Sequence, residues 1–366
     1  GGVATFAAIN LSRVGSYQLR FSSPGLADVS PNAFTIVAGP AASMFPDSIA
    51  PGDGQTAPVA TPLPLPLRVG VHDTEANPIA GVPVVFTTRQ GVDTVRVDTV
   101  STDGTGIAAF TPTLPPTAGP VQFVATSAGL ANSGLVFNAT ALPRAASQVV
   151  ITSGAIPNTL AGVIVPDVVL EVRDAFGNVV PGYSTPIWGF VLASPDGPYP
   201  DSVSAATVNG VAVFDFLNFP TAGTYQLRFR APGVGTVDPA PFDILVGPAT
   251  RVFRANVNSG DGQTAPAGTA LPLPLRTRVT DAGSNGIGGV PVVYTMRQGV
   301  DTLRVDTVTT NATGFAPLTP TLPPTPGLVE FVVTSTGLTG SGFVMTATAT
   351  VGAAVRLEVA QQPGNA

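Results

Sequence analysis

An internal repeat constrains this chain before any other feature does. Gly2-Val3-Ala4 recurs as Gly210-Val211-Ala212, and Gly15-Ser16-Tyr17-Gln18-Leu19-Arg20-Phe21 recurs as Gly223-Thr224-Tyr225-Gln226-Leu227-Arg228-Phe229. The same offset of 208 residues carries Gly52-Asp53-Gly54-Gln55-Thr56-Ala57-Pro58 onto 260–266 and Arg89-Gln90-Gly91-Val92-Asp93-Thr94 onto 297–302, without a gap. Roughly half of the aligned positions are identical, the mark of a tandem array in which each unit is one structural module or a small set of them.

Each unit divides again. Gly106, Ala108, Phe110 and Gly119 match Gly210, Ala212, Phe214 and Gly223 at an offset of 104, while Asp73 matches Asp174 at 101. The halves read as related modules that differ by a loop insertion: type A at 41–144 and 249–352, type B at 145–248. Residues 1–40 then form the C-terminal part of a type B module, and 353–366 the N-terminal strand of a further one. End pieces of 40 and 14 residues fall short of one 104-residue module, so the sequence is expected to be a window on a longer polypeptide.

Composition narrows what such modules can be. With 41 Gly and 38 Pro scattered along 366 residues, long helices would be broken repeatedly. At 44% hydrophobic residues the chain is too apolar for disorder, and its glycines lack collagen spacing. There is no cysteine, so neither a disulfide framework nor a thiolate metal site can form. All 16 basic residues are arginine, which removes lysine-based isopeptide staples and lysine-linked pilus assembly. A net charge of −6 without basic runs gives no footprint for nucleic acid or anionic lipid. Apolar stretches such as 161–170 are interrupted by Pro or Asp and fall short of the ~20 residues that span a bilayer, so no transmembrane segment is expected in this chain.

Within the modules the hydrophobic pattern has period two, as half-buried strands require. From Leu63 to His72 every odd position is apolar, while the even ones are Pro64, Pro66, Arg68, Gly70 and His72. The two prolines cannot donate to a ladder, so this strand should pair only after Leu67. Tyr225, Leu227 and Phe229 alternate with Gln226, Arg228 and Arg230, and Val168, Leu170 and Val172 with Val169, Glu171 and Arg173. Turn signals separate these runs at Asp53-Gly54, Asp103-Gly104, Gly177-Asn178 and Pro181-Gly182. The pattern predicts an all-β chain of tandem Ig-like β-sandwich modules with about seven strands each, two module types alternating end to end in a rod.

The residues also carry a family resemblance. Type A, with Gly52-Asp53-Gly54-Gln55-Thr56-Ala57-Pro58, Leu63-Pro64-Leu65-Pro66-Leu67-Arg68-Val69 and Ile79-Ala80-Gly81-Val82-Pro83-Val84-Val85-Phe86, resembles the bacterial Ig-like domain group 1 of invasin and intimin-type surface proteins. Type B is similar to Ig-like repeats of large bacterial secreted and surface proteins through Val172-Arg173-Asp174-Ala175-Phe176-Gly177-Asn178-Val179-Val180, Asn209-Gly210-Val211-Ala212-Val213-Phe214 and Ala222-Gly223-Thr224-Tyr225-Gln226-Leu227. The resemblance spans essentially the whole chain and implies extracellular, tandem, structural or adhesive use. Tyr225 stands where the tyrosine corner of Ig folds places its Tyr, with Leu227 at the usual cysteine position. Type A departs from this, with Val121 in place of the Tyr.

No catalytic, cofactor-binding or metal-binding residue is predicted. Asp53 and Asp261 lie in Gly-Asp-Gly-Gln loops without a second nearby carboxylate, so a turn outweighs a calcium site. The junctions at 37–40, 141–144 and 245–248 carry no acids, and their stiffness is expected to come from proline, from the absence of a spacer and from apolar contact. His72 is the single histidine, on the outward face of its strand, and reads as a solvated surface residue. Arg96 with Asp98, and Arg304 with Asp306, read as exposed strand-face pairs and not as an acid–base set. Gly283, Gly286, Gly288 and Gly289 imitate a phosphate loop, but a strand and not a helix follows, so a hairpin turn is expected. Trp188 is read first as the strand C core tryptophan, with an inter-module contact or a sugar platform behind it. Asn10, Asn138 and Asn311 begin N-glycosylation patterns, read as coincidental.

These features point to a non-catalytic structural repeat region of an extracellular fibre, its expected partners being further copies of itself and surface glycans, with no nucleic acid. With only 10% charged residues, the exterior must be rich in Thr, Ser, Gly, Pro and apolar atoms, which suits lateral packing. Proline-bearing edges such as 63–67 would limit uncontrolled strand addition. The alternative is the stalk or binding region of a cell-surface adhesin recognising a receptor or polysaccharide; an accompanying catalytic domain outside the sequence ranks third.

Overall fold

A computed structural model describes residues 2–49, 51–197, 202–256 and 258–352, so the strand expected within 353–366 lies outside the described residues. All of the regular elements found there are β-strands, and no helix among the described residues is long and apolar enough to cross a membrane. The chain divides into two compact units, residues 1–148 with 172–183, and residues 149–171 with 184–366.

The first unit contains a complete sandwich. One sheet is built from Ser43–Pro46, Leu67–His72 and Ile107–Phe110. The other runs in the spatial order Gln55–Pro58, Leu135–Leu142, Gly119–Thr126, Pro83–Gln90 and Asp93–Ser101. Inward positions of alternating strands meet between the sheets: Leu67, Val69 and Val71 from one side, Val84, Phe86, Val121, Phe123, Ala125 and Phe137 from the other. Gln55–Pro58 joins its neighbour in parallel, every other pair within this sheet being antiparallel. A short hairpin of Gly15–Tyr17 and Phe34–Ile36 precedes the sandwich.

The Leu67–His72 strand begins where the prolines release the ladder. The alternation read upstream of it breaks at Leu65, which is 55% exposed. Flanked by Pro64 and Pro66, Leu65 has no strand to pair with, and a side chain substitutes. Gln55 accepts the Leu65 N–H at 2.7 Å and donates to its carbonyl at 2.9 Å.

The second unit repeats this sandwich with every strand boundary advanced by 208 positions, from Arg251–Arg254 to Phe343–Thr350. Gln263 clamps Leu273 as Gln55 clamps Leu65. The type B region is built differently, from one sheet of Gln148–Ile151, Val168–Arg173, Val211–Phe214 and Thr207–Val208 and another around Gly223–Ala231 and Ile187–Ala193. Tyr225 is fully buried and donates through its hydroxyl to the Thr221 carbonyl at 2.9 Å, the backward bond of a tyrosine corner, with Leu227 packed two residues on. Tyr17 makes the same bond to the Arg13 carbonyl at 3.0 Å. The chain is thus an array of Ig-like β-sandwiches.

Trp188 is not a core residue. It is 39% exposed, because Ile187 and Gly189 take the inward positions of its strand. The Phe214 and Phe229 rings lie within 3.3 Å of where a Gly189 Cβ would stand, so the aromatic volume of this core comes from the facing sheet and from the neighbouring strand.

Candidate functional site

The residues singled out for chemistry are scattered and structurally occupied. Asp53 accepts the Asn138 N–H at 2.6 Å, and Asp261 accepts the Thr346 N–H at 2.6 Å, so each pins the parallel edge strand of its sheet. His72 is half-buried and not solvated: its ring stacks on Phe45 at 4.8 Å, and its Nδ1 lies 2.9 Å from the Asp73 carbonyl and 3.0 Å from Ser43 Oγ. The stacking arises because Gly70 leaves room for the Phe45 ring beside His72. Arg96 meets Asp98 at 2.7 Å and Arg304 meets Asp306 at 2.8 Å on single strands, the arginines exposed as expected but the aspartates half-buried. The glycine-rich 283–289 segment is a turn held by Asp281. Among the described residues no group of three or more His, Asp or Glu side chains could hold a metal ion.

What the structure does bring together, three times over, is a buried aspartate, an asparagine four residues later, the linker before the module, and a loop that precedes that linker. The local logic is an Asp turn. Asp73 Oδ1 accepts the N–H groups of Glu75 and Asn77 at 3.0 and 2.8 Å, closing the turn on itself. Its second oxygen then accepts the N–H of Gly39, in the linker, at 2.9 Å. Asp174 repeats this with Phe176, Asn178 and the N–H of Arg144, each at 2.9 Å. Asp281 repeats it with Asn285 at 2.8 Å and with the N–H of Gly247 at 2.9 Å.

The asparagine faces both ways. Asn77 Nδ2 donates to its aspartate and to the Ser12 carbonyl at 2.9 Å, while its Oδ1 accepts the Val14 N–H at 2.9 Å. Asn178 bonds the Pro116 carbonyl and the Ala118 N–H at 2.8 and 2.7 Å. Asn285 bonds the Pro220 carbonyl and the Ala222 N–H, both at 2.8 Å. In each case one primary amide grips residues i and i+2 of a loop about sixty positions upstream, satisfying one donor and one acceptor. The first two clamps lie within the first compact unit and the third within the second.

Desolvation is compensated at these aspartates. Asp73, Asp174 and Asp281 are at most 2% exposed, and a buried carboxylate is tolerated only when its lone pairs are filled. Burial pushes the Asp73 carboxyl up, but the Asn77 side chain and the N–H groups of Asn77, Gly39 and Glu75 outweigh it and hold the group down at about 2. At Asp174 burial likewise pushes up, and the Arg144 N–H, the Asn178 side chain and N–H, and the Phe176 N–H prevail, leaving the group below its ordinary value. Arg144 adds its own bonds: its guanidinium lies over the Phe176 ring at 5.0 Å and donates to the Val59 and Ala60 carbonyls. At the third clamp Gly283 packs so closely that a Cβ there would stand 2.3 Å from the Pro220 carbonyl oxygen.

The expectation of acid-free junctions needs correction. The linkers themselves carry no acid, but the aspartates that hold them stand about thirty residues downstream, in a turn of the following sandwich. The correspondence of Asp73 with Asp174 was visible in the sequence. The Asp-x-x-x-Asn spacing at 73–77, 174–178 and 281–285 is the signal that would have identified the clamp.

The type B region also has an apolar cleft of about 320 Å³, lined by Gly189, Val203, Phe216, Phe219, Leu227 and Phe229 among others.

No protein-family model matches the sequence, nor does any curated protein. Solved structures that resemble the chain include FdeC, an Escherichia coli adhesin, at 17% identity and a TM-score of 0.43, covering 85% of this chain and 99% of that one. Invasin, a bacterial integrin-binding protein, matches at 16% identity and a TM-score of 0.34, covering 82% of this chain and 58% of that one. The tetra-tandem repeat in the extending region of a large adhesion protein matches at 12% identity and a TM-score of 0.26, covering 92% and 81%. Likenesses of this size carry no inference about ligand or partner.

Proposed function

We propose that the chain is a non-catalytic spacer region of an extracellular surface protein, a stiff array whose job is to hold its modules in fixed succession. The observation that supports this is the clamp, repeated with the same bonds at Asp73–Asn77, Asp174–Asn178 and Asp281–Asn285. A string of independently tumbling domains has no use for a buried, fully bonded carboxylate at each linker, because linkers in such strings are solvated and flexible. The low charge and the Thr- and Val-rich exterior favour a fibre in which such arrays pack side by side. Small-angle scattering of the 366-residue chain tests the stiffness: one extended envelope is expected, and scattering typical of a flexible string would refute it. Electron microscopy of the native material tests the fibre, for which ordered filaments are expected and isolated stalks ending in a knob would count against it.

A second reading, an adhesin segment with its own ligand contact, is favoured by one feature. Trp188 is exposed in the same type B region that holds the apolar cleft, and amphipathic aromatics beside apolar concavities are common binding elements. Glycan-array binding that is lost in Trp188→Ala would favour it over the fibre.

A further inference from the structure

The Asp93–Ser101 strand is the one long open edge of its sandwich among the described residues. It ends the five-stranded sheet and pairs only with Pro83–Gln90. The other edges are four-residue strands, two of which, Ser43–Pro46 and Gln55–Pro58, end in proline. Brevity and proline blunt a sheet edge, and this nine-residue strand uses neither, although it carries a bulge at Val95 and the charges of Arg96 and Asp98. Its apolar side chains are also uncovered: Val95 is 48% exposed, Val97 57% and, at the hairpin tip, Val92 98%. The second copy reproduces the edge at Asp301–Thr309, with Leu303 45% and Val305 59% exposed.

The register shows which backbone groups are free. Pro83 stands opposite Ser101 and has no N–H, whereas the next residue, Thr102, donates to the Val82 carbonyl at 3.0 Å. In an antiparallel ladder bonded and non-bonded pairs alternate, so Ser101, Thr99 and Val97 turn their N–H and C=O groups away from the sheet. We propose that this edge pairs antiparallel with the same edge of a second copy, about a two-fold axis through Val97. Charge selects that partner and that register. Along the strand the order is Val95, Arg96, Val97, Asp98, Thr99, so rotation about Val97 sets Arg96 opposite Asp98 of the second copy and Asp98 opposite its Arg96. Val97 then meets its own mate on the outer face, and the two residues exchange both backbone bonds. The 301–309 edge has the same self-complementary order around Val305, with Arg304 and Asp306. Oppositely charged cross-strand pairs stabilise a sheet and like pairs oppose it, which makes the edge selective for its own kind. The proposal rests on the array reading for its setting, since one short edge is weak and edges repeated along a stiff chain act together. A flexible scattering envelope would overturn that reading, while the outcomes below bear on the pairing alone.

Because the chain lacks cysteine, Val97→Cys introduces a single thiol that the two-fold brings to its mate. The Cα separation of a bonded antiparallel pair, about 5.5 Å, lies within disulfide reach. Under mild oxidation of the full chain, Val97→Cys is expected to give at least tenfold more disulfide dimer than Val92→Cys, although Val92 is the more exposed. Equal yields, or faster dimerisation through Val92→Cys, would mean random collision and overturn the proposal. Sedimentation of charge variants provides the second arm. Arg96→Asp with Arg304→Asp, and separately Asp98→Arg with Asp306→Arg, should each abolish self-association, and mixing the two variants should restore it. Association of either variant alone at the parent level, or failure of the mixture to associate while both remain folded by circular dichroism, would refute it.

Discussion

Truncating Asn178 to alanine isolates the clamp from the fold around it. The backbone N–H of residue 178 survives the change, so Asp174 keeps its bonds from that N–H and from the N–H groups of Phe176 and Arg144, and the turn persists. Within the turn the Nδ2 bonds to Asp174 are lost, and across the junction what disappears are the bonds to the Pro116 carbonyl and from the Ala118 N–H. Each such bond is worth about 0.5–1.5 kcal/mol net, so the pair stabilises the junction by about 2 kcal/mol. At 1.36 kcal/mol per factor of ten, local opening should become about 30-fold more frequent. A multi-module chain does not unfold as one two-state system, so a global melting curve would blur the effect. Hydrogen exchange read by mass spectrometry on peptides covering 112–120 and 172–183 sees it directly. Exchange there should accelerate about 30-fold while peptides near Pro220 and Ala222 stay at the parent rate, and Asn285→Ala should reverse that pattern. Asn178→Asp is the sharper variant: nearly isosteric, it loses both amide donors and sets a second carboxylate against Asp174, so it should open the junction further than alanine does at neutral pH and less so in acid. Exchange in Asn178→Ala within about threefold of the parent would refute the assignment of the clamp as an energetic link.

Three further outcomes follow from other contacts. Tyr294, buried in the second type A sandwich, bonds Thr277 Oγ1 at 2.9 Å and the Ala316 carbonyl at 2.5 Å, while the first sandwich has Phe86 and Val69 at these places; Tyr294→Phe alone should destabilise its module by about 1–3 kcal/mol through the stranded Thr277 hydroxyl, and adding Thr277→Val should recover most of it, as denaturant unfolding of the module will show. The Asp73 carboxyl, held at about 2 against an ordinary 3.8, contributes stability that is complete above the ordinary value and is lost as pH falls through about 2; carbon NMR of that carboxyl should titrate at the lower value, and a midpoint near 4 would contradict the bonding described. Gly283→Ala places a Cβ 2.3 Å from the Pro220 carbonyl oxygen, so it should loosen the third clamp, raising exchange at 219–223 and 281–286 and leaving the first two clamps unaffected.

The sandwiches were legible in the sequence because period-two burial and proline are local signals. The start of pairing at Leu67, the turn at Asp53-Gly54 and the tyrosine corner at Tyr225 each follow from residues a few positions apart. Leu65 and Trp188 were misjudged for a shared reason: alternation says that two faces exist, but not where the strand stops or which face is the core. Leu65 continues the pattern past the point where prolines end the ladder. Trp188 lies on the outward parity because the core space beside Gly189 is already filled by Phe214 and Phe229. The clamp was missed because its members lie about thirty and sixty residues apart, and a linker read in isolation cannot show that its N–H is bonded to an acid in the next module.

The two type A copies supply a comparison inside one chain, and the pattern of their differences bears on function. Their cores have diverged in a compensated way, Val69 with Phe86 becoming Thr277 with Tyr294, the added hydroxyls meeting each other at 2.9 Å. A core can change like this freely, because both partners belong to the same module and nothing outside registers the exchange. The clamp cannot. Its asparagine must match the carbonyl and N–H spacing of a loop in another module, and its aspartate must meet a linker N–H, so a change on one side leaves a buried carboxylate or amide unfilled on the other. The turn residues within it differ, with Glu75 in the first copy and Gly283, packed against the Pro220 carbonyl, in the second, whereas Asp73, Asn77, Asp281 and Asn285 keep both identity and bonding. Along the open edge Arg96, Val97 and Asp98 stand unchanged as Arg304, Val305 and Asp306; Val97 and Val305 are exposed, whereas the two aspartates are half-buried and bonded to the arginine of their own strand. Identity is also kept at core positions such as Leu67, Val71, Val84 and Phe123, which recur as Leu275, Val279, Val292 and Phe331, so the clamp is held as tightly as the centre of each sandwich.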